Sequence, residues 1–273
     1  MPLRAIRSPD LWFRGEHCYD VNVRGRAGIT SVFVAVTLAS CVPEGPPTGD
    51  QVPQPARAPA TPAAKSSADS KSLPSTAPTI TAPFEDSFER SELGDDWNAL
   101  APKWRIDNGR LCGQGAKNKG IWLKRRIPVN ARIEFDAIAE SAVGDLKVEA
   151  WGDGRSGATS SSYTNATSYI AIFGGWKNSK HVLARIDEHG SDRLEIDIDP
   201  QSDDERERAV SAGQTYHFRI ERADGHTVTW SVNGTVYFTL DDEEPLVGPG
   251  HEFFGFNDWD APVCFDNLKV TPL

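Results

Sequence analysis

The sequence predicts an all-β protein, in which two antiparallel sheets pack as a β-sandwich that follows a disordered N-terminal tether. No stretch of residues 84–273 has a sustained helical period with capping residues. About thirteen short alternating or apolar runs recur there instead, each bounded by Gly, Asn, Asp or Pro. The runs at 227–232 and 236–241 flank Asn233-Gly234, a dipeptide typical of a tight hairpin turn. Many short strands in one domain indicate two packed antiparallel sheets.

Overall composition excludes several classes of protein. The chain has 273 residues, of which 25% are charged and 38% hydrophobic, so it could hold one large domain or two small ones. The formal net charge of −10 argues against nucleic acid as a partner, because phosphate binding needs a basic surface. There is no GxSxG, HExxH or phosphate-binding glycine motif, and the 4 cysteines form no CxxC pair. We expect a monomer without a cofactor, apart from the calcium considered below.

Residues 29–40, ITSVFVAVTLAS, predict an export signal. This uncharged segment is too short to span a bilayer but fits the apolar core of a signal peptide, and Arg24 and Arg26 supply its positive flank. Leu38-Ala39-Ser40-Cys41 resembles the bacterial lipobox, which implies cleavage after Ser40 and a lipid on Cys41. The alternative is an ordinary secretory signal whose cysteine is coincidental. We assign 1–40 to the signal peptide and expect membrane contact only through the lipid.

The segment before this signal is unusually long and polar. Signal peptides rarely begin in this way, so we place the true translation start near Val21 or Val23 and treat 1–20 as a start-site artefact. Val42 follows the cysteine. An aspartate at that position tends to retain bacterial lipoproteins at the inner membrane, so its absence favours the outer membrane or the cell surface.

Residues 41–83 predict a disordered linker after the lipidated cysteine. The segment 42–83 holds ten of the chain's 19 prolines, many Ala, Ser and Thr, and no aromatic residue. It cannot bury enough apolar surface to offset the entropy of ordering, so we expect polyproline character. Such a linker could hold a domain away from a membrane to reach a bulky ligand, or serve only as a spacer.

Residues 84–273 form the predicted sandwich domain. Its short apolar or alternating runs predict strands near 104–107, 110–113, 120–125, 131–139, 146–152, 169–173, 181–187, 194–198, 216–223, 227–232, 236–241, 251–257 and 264–271.

Several segments of this domain carry a family resemblance. It opens with FEDSFER, LGDDW and WRIDNGRL, continues with RIEFDAIAE, and closes with YHFRIERADGHTVTWSVNG, PLVGPGHEFFGFNDW and CFDNLKV. These segments resemble the concanavalin A-like lectin/glucanase superfamily, in particular its laminin-G-like and 3-keto-disaccharide-hydrolase-like branches. The resemblance implies a jelly-roll sandwich and a carbohydrate, poly- or oligosaccharide, as partner. This fold hosts lectins, hydrolases and adhesion modules, so it does not select an activity.

The segment 194–199, LEIDID, is the most enzyme-like feature. On a strand, alternate residues share a face, so Glu195, Asp197 and Asp199 would lie together while the intervening Leu and Ile residues point into the core. The pattern resembles the ExDxE strand of family 16 glycoside hydrolases, in which one carboxylate attacks and another donates a proton. Asp199 departs from that pattern, which has Glu there, and an exposed edge face explains the three carboxylates equally well.

A mixed aromatic and polar set predicts a sugar site. Gly174 and Gly175 allow the backbone to turn sharply beneath an aromatic ring, and the neighbouring polar side chains suit sugar hydroxyls. The alternative is a glycine-rich hairpin with a packed tryptophan and ordinary surface polar residues. The candidate ligand-binding residues are Trp151, Asp153, Trp176, Asn178, Arg185, Glu188, His189, Arg193 and Trp259.

The family resemblance also implies a structural calcium ion. Concanavalin A-like modules often bind calcium between their N-terminal and C-terminal strands, and Asp86 and Asp266 lie in the corresponding segments. The alternative is that Asp266 and Asn267 hydrogen-bond a neighbouring loop without a metal.

Cys112 and Cys264 are candidates for a disulfide. Both lie on predicted strands, the first and last strands of such sandwiches commonly lie side by side, and an exported location is oxidising. The alternative is a pair of buried, reduced cysteines.

Three functions are compatible with these features. The leading hypothesis is a surface-anchored lipoprotein with a non-catalytic carbohydrate-binding domain. A glycoside hydrolase or related sugar-processing enzyme on the same fold is the first alternative, and a structural or adhesion module is the second. The sequence selects neither the glycan nor the side of the outer membrane.

Overall fold

A computed structural model describes residues 76–273, and β-strands dominate this region. The strands are β1 (Phe84–Asp86), β2 (Trp97–Ala99), β3 (Arg105–Asp107), β4 (Arg110–Gly113), β5 (Ile121–Leu123), β6 (Ala131–Ala139), β7 (Leu146–Gly152), β8 (Tyr169–Gly174), β9 (Lys180–Arg185), β10 (Leu194–Asp197), β11 (Thr215–Arg222), β12 (Thr227–Val232), β13 (Thr235–Asp241), β14 (Phe253–Asn257) and β15 (Val263–Pro272). One helical turn, α1 (Gly175–Asn178), and one 3-10 turn, Glu205–Glu207, are the short helical elements of this region.

These strands form two antiparallel sheets. The eight-stranded sheet has the order β13-β12-β11-β6-β15-β4-β3, with β1 also paired to β15. The seven-stranded sheet has the order β10-β9-β8-β7-β14-β5-β2. The chain crosses between the sheets repeatedly, so strands distant in sequence become neighbours. The two-sheet antiparallel sandwich predicted from the sequence is confirmed.

The sequence periodicity located most of the strands. Each segment predicted from alternation or apolar runs contains a strand, with bounds that differ by a few residues at most. The strands β1 and β2, of 3 residues each, were not predicted.

The core lies between the sheets and is rich in aromatic rings. Along β6, buried and half-buried residues alternate without interruption, as expected for a strand with one face in the core. Phe135 from this strand stacks on Phe218 with ring centroids 5.0 Å apart, and contacts Phe256 of the opposite sheet edge-on at 5.3 Å. These rings are fully buried, so the packing of the two sheets depends on them.

The folded region begins before the predicted boundary at residue 84. Ala77 and Ile80, assigned from sequence to the linker, are both buried. The Arg126 amide donates to the Pro78 carbonyl at 2.9 Å, and the Ile80 amide donates to the Arg126 carbonyl at 2.8 Å. The end of the predicted linker is therefore part of the domain, because the apolar side chains at positions 77 and 80 pack against the rest of the domain.

The other N-terminal predictions concern a part of the chain that is not described. The signal peptide at 1–40, the lipidated Cys41 and the linker up to residue 75 lie outside the described residues. Within residues 76–273, no helix is both long enough and apolar enough to cross a membrane.

Cys112 and Cys264 form a disulfide between β4 and β15. The two residues lie directly opposite each other in the antiparallel pairing of these strands. They are 152 positions apart in the sequence, so the bond closes most of the domain into one loop.

We expect loss of this disulfide to destabilise the domain. A Cys112→Ala/Cys264→Ala variant should lose roughly 2–5 kcal/mol of free energy of unfolding, since a cross-link over so long a loop restricts the unfolded chain. Urea unfolding of the 76–273 fragment measures the effect. A reducing agent should lower the stability of the wild type and leave the variant unchanged. Equal stability of oxidised and reduced wild type would contradict the prediction.

Candidate ligand-binding site

The outer face of the seven-stranded sheet carries charged residues that are nevertheless buried. On β7, Leu146, Val148 and Ala150 face the main core, while Lys147 and Glu149 point to the other face. Both charged side chains are almost inaccessible to water. They are buried because residues 153–168, here called the covering loop, fold over this face of the sheet.

Apolar packing holds the covering loop on the sheet. A second hydrophobic cluster, separate from the main core, joins Tyr163 and Ala166 of the loop to outward-facing residues of β8 and β9. Those strand residues are Ile170, Ile172, Val182 and Ala184. They alternate with residues that face the main core, so β8 is apolar on both faces and needs a cover on its outer side.

Glu149 fastens the covering loop by hydrogen bonds. The Tyr163 hydroxyl lies 2.9 and 3.0 Å from the two carboxylate oxygens, and the Ser168 hydroxyl donates at 2.6 Å. Asn257 of β14 donates its side-chain amide at 2.6 Å. Burial raises the pKa of Glu149 to about 7, although these donors act in the opposite direction.

Lys147 and Glu188 form a buried ion pair next to this network. The Lys147 ammonium donates to Glu188 Oε2 at 2.8 Å and to Asn118 Oδ1 at 2.8 Å. Glu188 Oε1 accepts from the backbone amide of Tyr163 at 3.3 Å. Burial lowers the pKa of Lys147, but the charges of Asp145 and Glu188 more than offset this and raise it overall. The pair therefore joins the sheet, the covering loop and the 186–189 segment.

A cavity of about 400 Å³ opens beside the Lys147–Glu188 pair. Its lining combines two tryptophans with charged and hydroxyl side chains. The lining residues are Val143, Asp145, Lys147, Ser161, Ser162, Ile172, Trp176, Lys177, Glu188, His189, Trp259, Asp260 and Ala261.

The tryptophan rings each lie beneath a cation. Arg193 is 4.8 Å from the ring centroid of Trp176, which is 36% exposed, and Lys117 is 4.6 Å from that of Trp259. Lys117 also pairs with Asp260 at 2.5 Å. These contacts hold the rings in place at the cavity while leaving part of Trp176 open to solvent.

A left-handed turn brings Trp176 to the cavity. Gly174, Trp176, Lys177 and Asn178 have φ angles of 73°, 50°, 61° and 62°, a conformation that is unfavourable for non-glycine residues. Asn178 fixes the turn: its side chain accepts from the Val210 amide at 2.9 Å and donates to the Val210 carbonyl at 2.8 Å. A Cβ at position 174 would lie 2.5 Å from Val210 Cγ2, so only glycine fits there.

The structure brings together four of the predicted ligand-binding residues. Trp176, Glu188, His189 and Trp259 line the cavity. Arg193 is adjacent, since it packs on Trp176 and donates to the Glu188 carbonyl at 2.7 Å.

Trp151 was wrongly predicted to lie on this surface. It is fully buried in the main core, where its indole N–H donates to the Pro128 carbonyl at 3.0 Å and Arg222 lies over its ring. Simple alternation along β7 would have placed it outside, next to Glu149. A β-bulge opposite Phe253 and Phe254, with Trp151 at a φ of 55°, turns the ring inward.

Asp153, Arg185 and Asn178 have structural partners instead. Asp153 accepts from the amides of Arg155 and Ser156 and so caps the start of the covering loop. Arg185 donates to the Asp242 carboxylate at 2.9 Å. None of the three lines the cavity.

Asp145 and Lys147 were not singled out from the sequence, whereas Asp258 was noted only as part of the segment with Trp259. The sequence feature that points to Lys147 is the alternation of apolar and charged residues in LKVE (146–149). The same alternation is equally typical of an ordinary strand with one exposed face. Burial raises the pKa of Asp145, and it raises that of Asp258 to about 6. Only the fold of the covering loop reveals that these charges are buried.

The carboxylates of the predicted catalytic strand lie elsewhere. β10 is an edge strand, on which Glu195 and Asp197 are exposed and bind Lys180 at 3.0 and 3.2 Å. Asp199 lies beyond the strand and accepts from the Gln201 amide at 2.8 Å. The hydrogen bond from Lys180 lowers the pKa of Glu195 despite some burial, which is the wrong direction for a proton donor. The solvated-edge interpretation accounts for all three.

The positions predicted for calcium do not fit a metal site. Both oxygens of Asp86 are engaged, by Arg90 at 2.5 and 2.9 Å and by the Trp97 indole N–H at 2.8 Å. Asp266 accepts from the Asn267 amide at 2.7 Å. Within residues 76–273, no three His, Cys, Asp or Glu side chains are grouped so as to hold a metal ion.

Comparison with known proteins gives similarity of structure only. No protein-family model matches the sequence, and no curated protein matches it. Solved structures that are similar include the carbohydrate-binding module CBM66 from Bacillus subtilis, with a TM-score of 0.47, 15% identity, and coverage of 65% of this chain and 97% of that one. A Bacillus subtilis protein with a galectin-like fold has a TM-score of 0.49 and 13% identity, over 69% and 94% of the two chains. The laminarinase catalytic domain from Thermotoga maritima has a TM-score of 0.45 and 13% identity, over 70% and 97%. The likeness concerns the fold and identifies no ligand-binding side chain.

We expect Glu149 to make stability pH-dependent. Its pKa of about 7 in the folded state lies above the ordinary value of 4.5 for a glutamate, so the folded state holds the proton of Glu149 more tightly. The contribution of Glu149 to the free energy of unfolding is therefore largest below pH 4.5 and is lost as the pH rises through 7. Glu149→Gln cannot titrate, so the stability of the wild type relative to this variant should fall over that window.

Urea unfolding of both proteins at several pH values measures this difference. The exposed Glu195→Gln is the matched control and should show no such fall. The amide of Glu149→Gln forms poorer hydrogen bonds and can lower the stability of the variant by the same amount at every pH. Such a constant difference does not affect the test, which concerns only the change with pH. A difference between wild type and Glu149→Gln that is flat from pH 4.5 to 7 would refute the assignment.

Proposed function

We propose that the domain binds a carbohydrate in the cavity lined by Trp176 and Trp259, without cleaving it. The observation that carries the proposal is the meeting of two indole rings with a set of fixed polar groups. A sugar ring has apolar faces and a polar rim, so its site needs both kinds of group side by side.

The polar groups of the cavity suit sugar hydroxyls. Ser161 and Ser162 from the covering loop supply hydroxyls, and His189 and Lys177 supply donors at the rim. The volume of about 400 Å³ is within the range of small-ligand sites. Because Glu149 and the Lys147–Glu188 pair hold the covering loop, these groups are in position before a ligand arrives.

A sugar-cleaving enzyme is the second candidate function. Asp145 favours it, because burial raises the pKa of this carboxyl at the cavity, as a general acid requires. Against it, the neighbouring carboxylate Glu188 is held by Lys147 and the Tyr163 amide. A carboxylate so engaged is poorly suited to attack a sugar or to activate a water.

The proposal also places the domain at a membrane surface. The apolar run before Leu38-Ala39-Ser40-Cys41, and the proline-rich segment after it, support export, lipidation of Cys41 and tethering at the outer membrane or cell surface. A tethered binding domain would hold a glycan near the surface of the cell to which the domain is anchored.

We expect both cavity tryptophans to be needed for glycan binding. A glycan array with the 76–273 fragment should identify a ligand, and calorimetric titration should show a loss of affinity of about fivefold or more in Trp176→Ala and Trp259→Ala. The loss follows because stacking of a ring on an aromatic face is worth about 1 kcal/mol or more. Val236→Ala, an exposed apolar residue on the other sheet, is the control.

The same ligand distinguishes the two candidate functions. The bound glycan should be recovered intact after long incubation with the fragment. If the wild type released shorter sugars and Asp145→Asn did not, the domain would be a sugar-cleaving enzyme and not a binding module. Unchanged affinity in both tryptophan variants, with their folding intact, would refute the placement of the site.

We expect Cys41 to carry the lipid. In a bacterial host fed an alkyne-labelled fatty acid, the full chain should become labelled, and Cys41→Ser should abolish the label and release the protein from membranes. Cys18→Ser is the matched control and should remain labelled, because it precedes the predicted cleavage site. Labelling that persists in Cys41→Ser would refute the anchor.

A further inference from the structure

The buried side chains at and behind the cavity carry more negative than positive charge. The side chains of Asp145, Glu149, Glu188 and Asp258 are buried, with residue exposures of 8%, 1%, 5% and 0%. Lys147, at 3%, is the buried cation among them. So many carboxyls cannot all be ionised out of water with one ammonium, unless protons or further positive charge are supplied.

Two of these carboxyls lack adequate partners. Glu149 and Glu188 each receive several hydrogen bonds, as described above. Asp258 accepts from the Ala116 amide at 2.8 Å, but its other oxygen has no hydrogen-bond partner within residues 76–273. Asp145 lines the cavity, and within the same residues no side chain donates a hydrogen bond to it; the donor it has is the backbone of Trp259.

The other charged groups around the cavity are already neutralised or lie at the rim. Lys147 is paired with Glu188, and Asp260 with Lys117. Lys177 is exposed, and His189 lies 3.3 Å from Glu188. Lys147 attracts both Asp145 and Glu188 but can balance only one of the two charges, so one negative charge stays uncompensated, and Asp145 is the carboxyl at the cavity that a ligand can reach.

The cavity walls also favour a positive group. Trp176 and Trp259 each hold a cation against the ring, Arg193 and Lys117 respectively, which shows that positive charge is stable beside these indoles. An ammonium in the cavity would lie between the aromatic walls and the Asp145 carboxylate. It would supply both the missing charge and up to three hydrogen-bond donors.

We propose that Asp145 binds an ammonium group, so that the preferred ligand is a glycan containing an amino sugar with a free, unacetylated amine. The inference rests on the proposed carbohydrate-binding function and names the substrate class of the same cavity. An N-acetyl group lacks the charge and has one amide N–H, so it leaves Asp145 uncompensated. A neutral sugar offers hydroxyl donors to the Asp145 carboxyl but no positive charge to balance it.

The test compares a glucosamine oligosaccharide with its N-acetylated counterpart of equal length. Calorimetric titration of the 76–273 fragment at pH 6 should show at least tenfold tighter binding of the free amine. Asp145→Asn should abolish this preference, so that the two oligosaccharides bind with affinities equal within about threefold. Asp197→Asn, the same change on the remote edge strand, is the control and should retain the full preference.

Equal affinity of the wild type for the two oligosaccharides would overturn the inference, and this comparison does not depend on the folding of a variant. A preference that survives in Asp145→Asn would overturn the role of that residue. If neither oligosaccharide binds but another glycan on the array does, the inference fails and the proposed carbohydrate-binding function stands. If no glycan binds, both fail.

Discussion

The hydrogen bonds to the Glu149 carboxylate are the constraint on which the candidate site depends. Glu149 lies on a central strand, yet its partners come from the covering loop and from β14. Without it, the loop would lose the side-chain hydrogen bonds of Tyr163 and Ser168 and would keep only weaker polar contacts, such as that of the Tyr163 amide with Glu188. The loop in turn contributes Ser161 and Ser162 to the cavity and a backbone amide to Glu188. One buried carboxyl therefore determines where the cavity forms.

The buried Lys147–Glu188 pair has a different role. Burying two charges is unfavourable unless both are well paired, and breaking such a pair by removing one partner typically costs about 3–5 kcal/mol. The pair therefore says little about how stable the domain is, but it fixes the positions of the two side chains. Neither side chain can move away without leaving the charge of the other buried and unpaired. It holds the 186–189 segment, and with it His189, against the edge of the cavity.

The sequence was sufficient for the fold and for part of the site. Period-2 alternation predicted strands such as β6 and β12, because one face of each lies in the core. Trp176, Glu188 and Trp259 were found because aromatic and polar residues lay close together in the sequence. Trp151 was misplaced because a bulge reverses the direction of a side chain, and a bulge leaves no pattern in a single sequence. Lys147 was missed because the sequence of β7 does not show that the loop after it folds back over the outer face of the strand.

The left-handed turn at Gly174–Asn178 has a consequence for the thermodynamics of recognition. Each non-glycine residue held in this conformation costs on the order of 1–2 kcal/mol, and the hydrogen bonds between Asn178 and Val210 offset part of that during folding. The indole of Trp176 also loses little rotational freedom when a ligand arrives, since Arg193 and His189 already pack against the ring. Affinity at such a site comes from a small entropic penalty as much as from contact area, so a small ligand with few contacts can be held for longer than its size alone would allow.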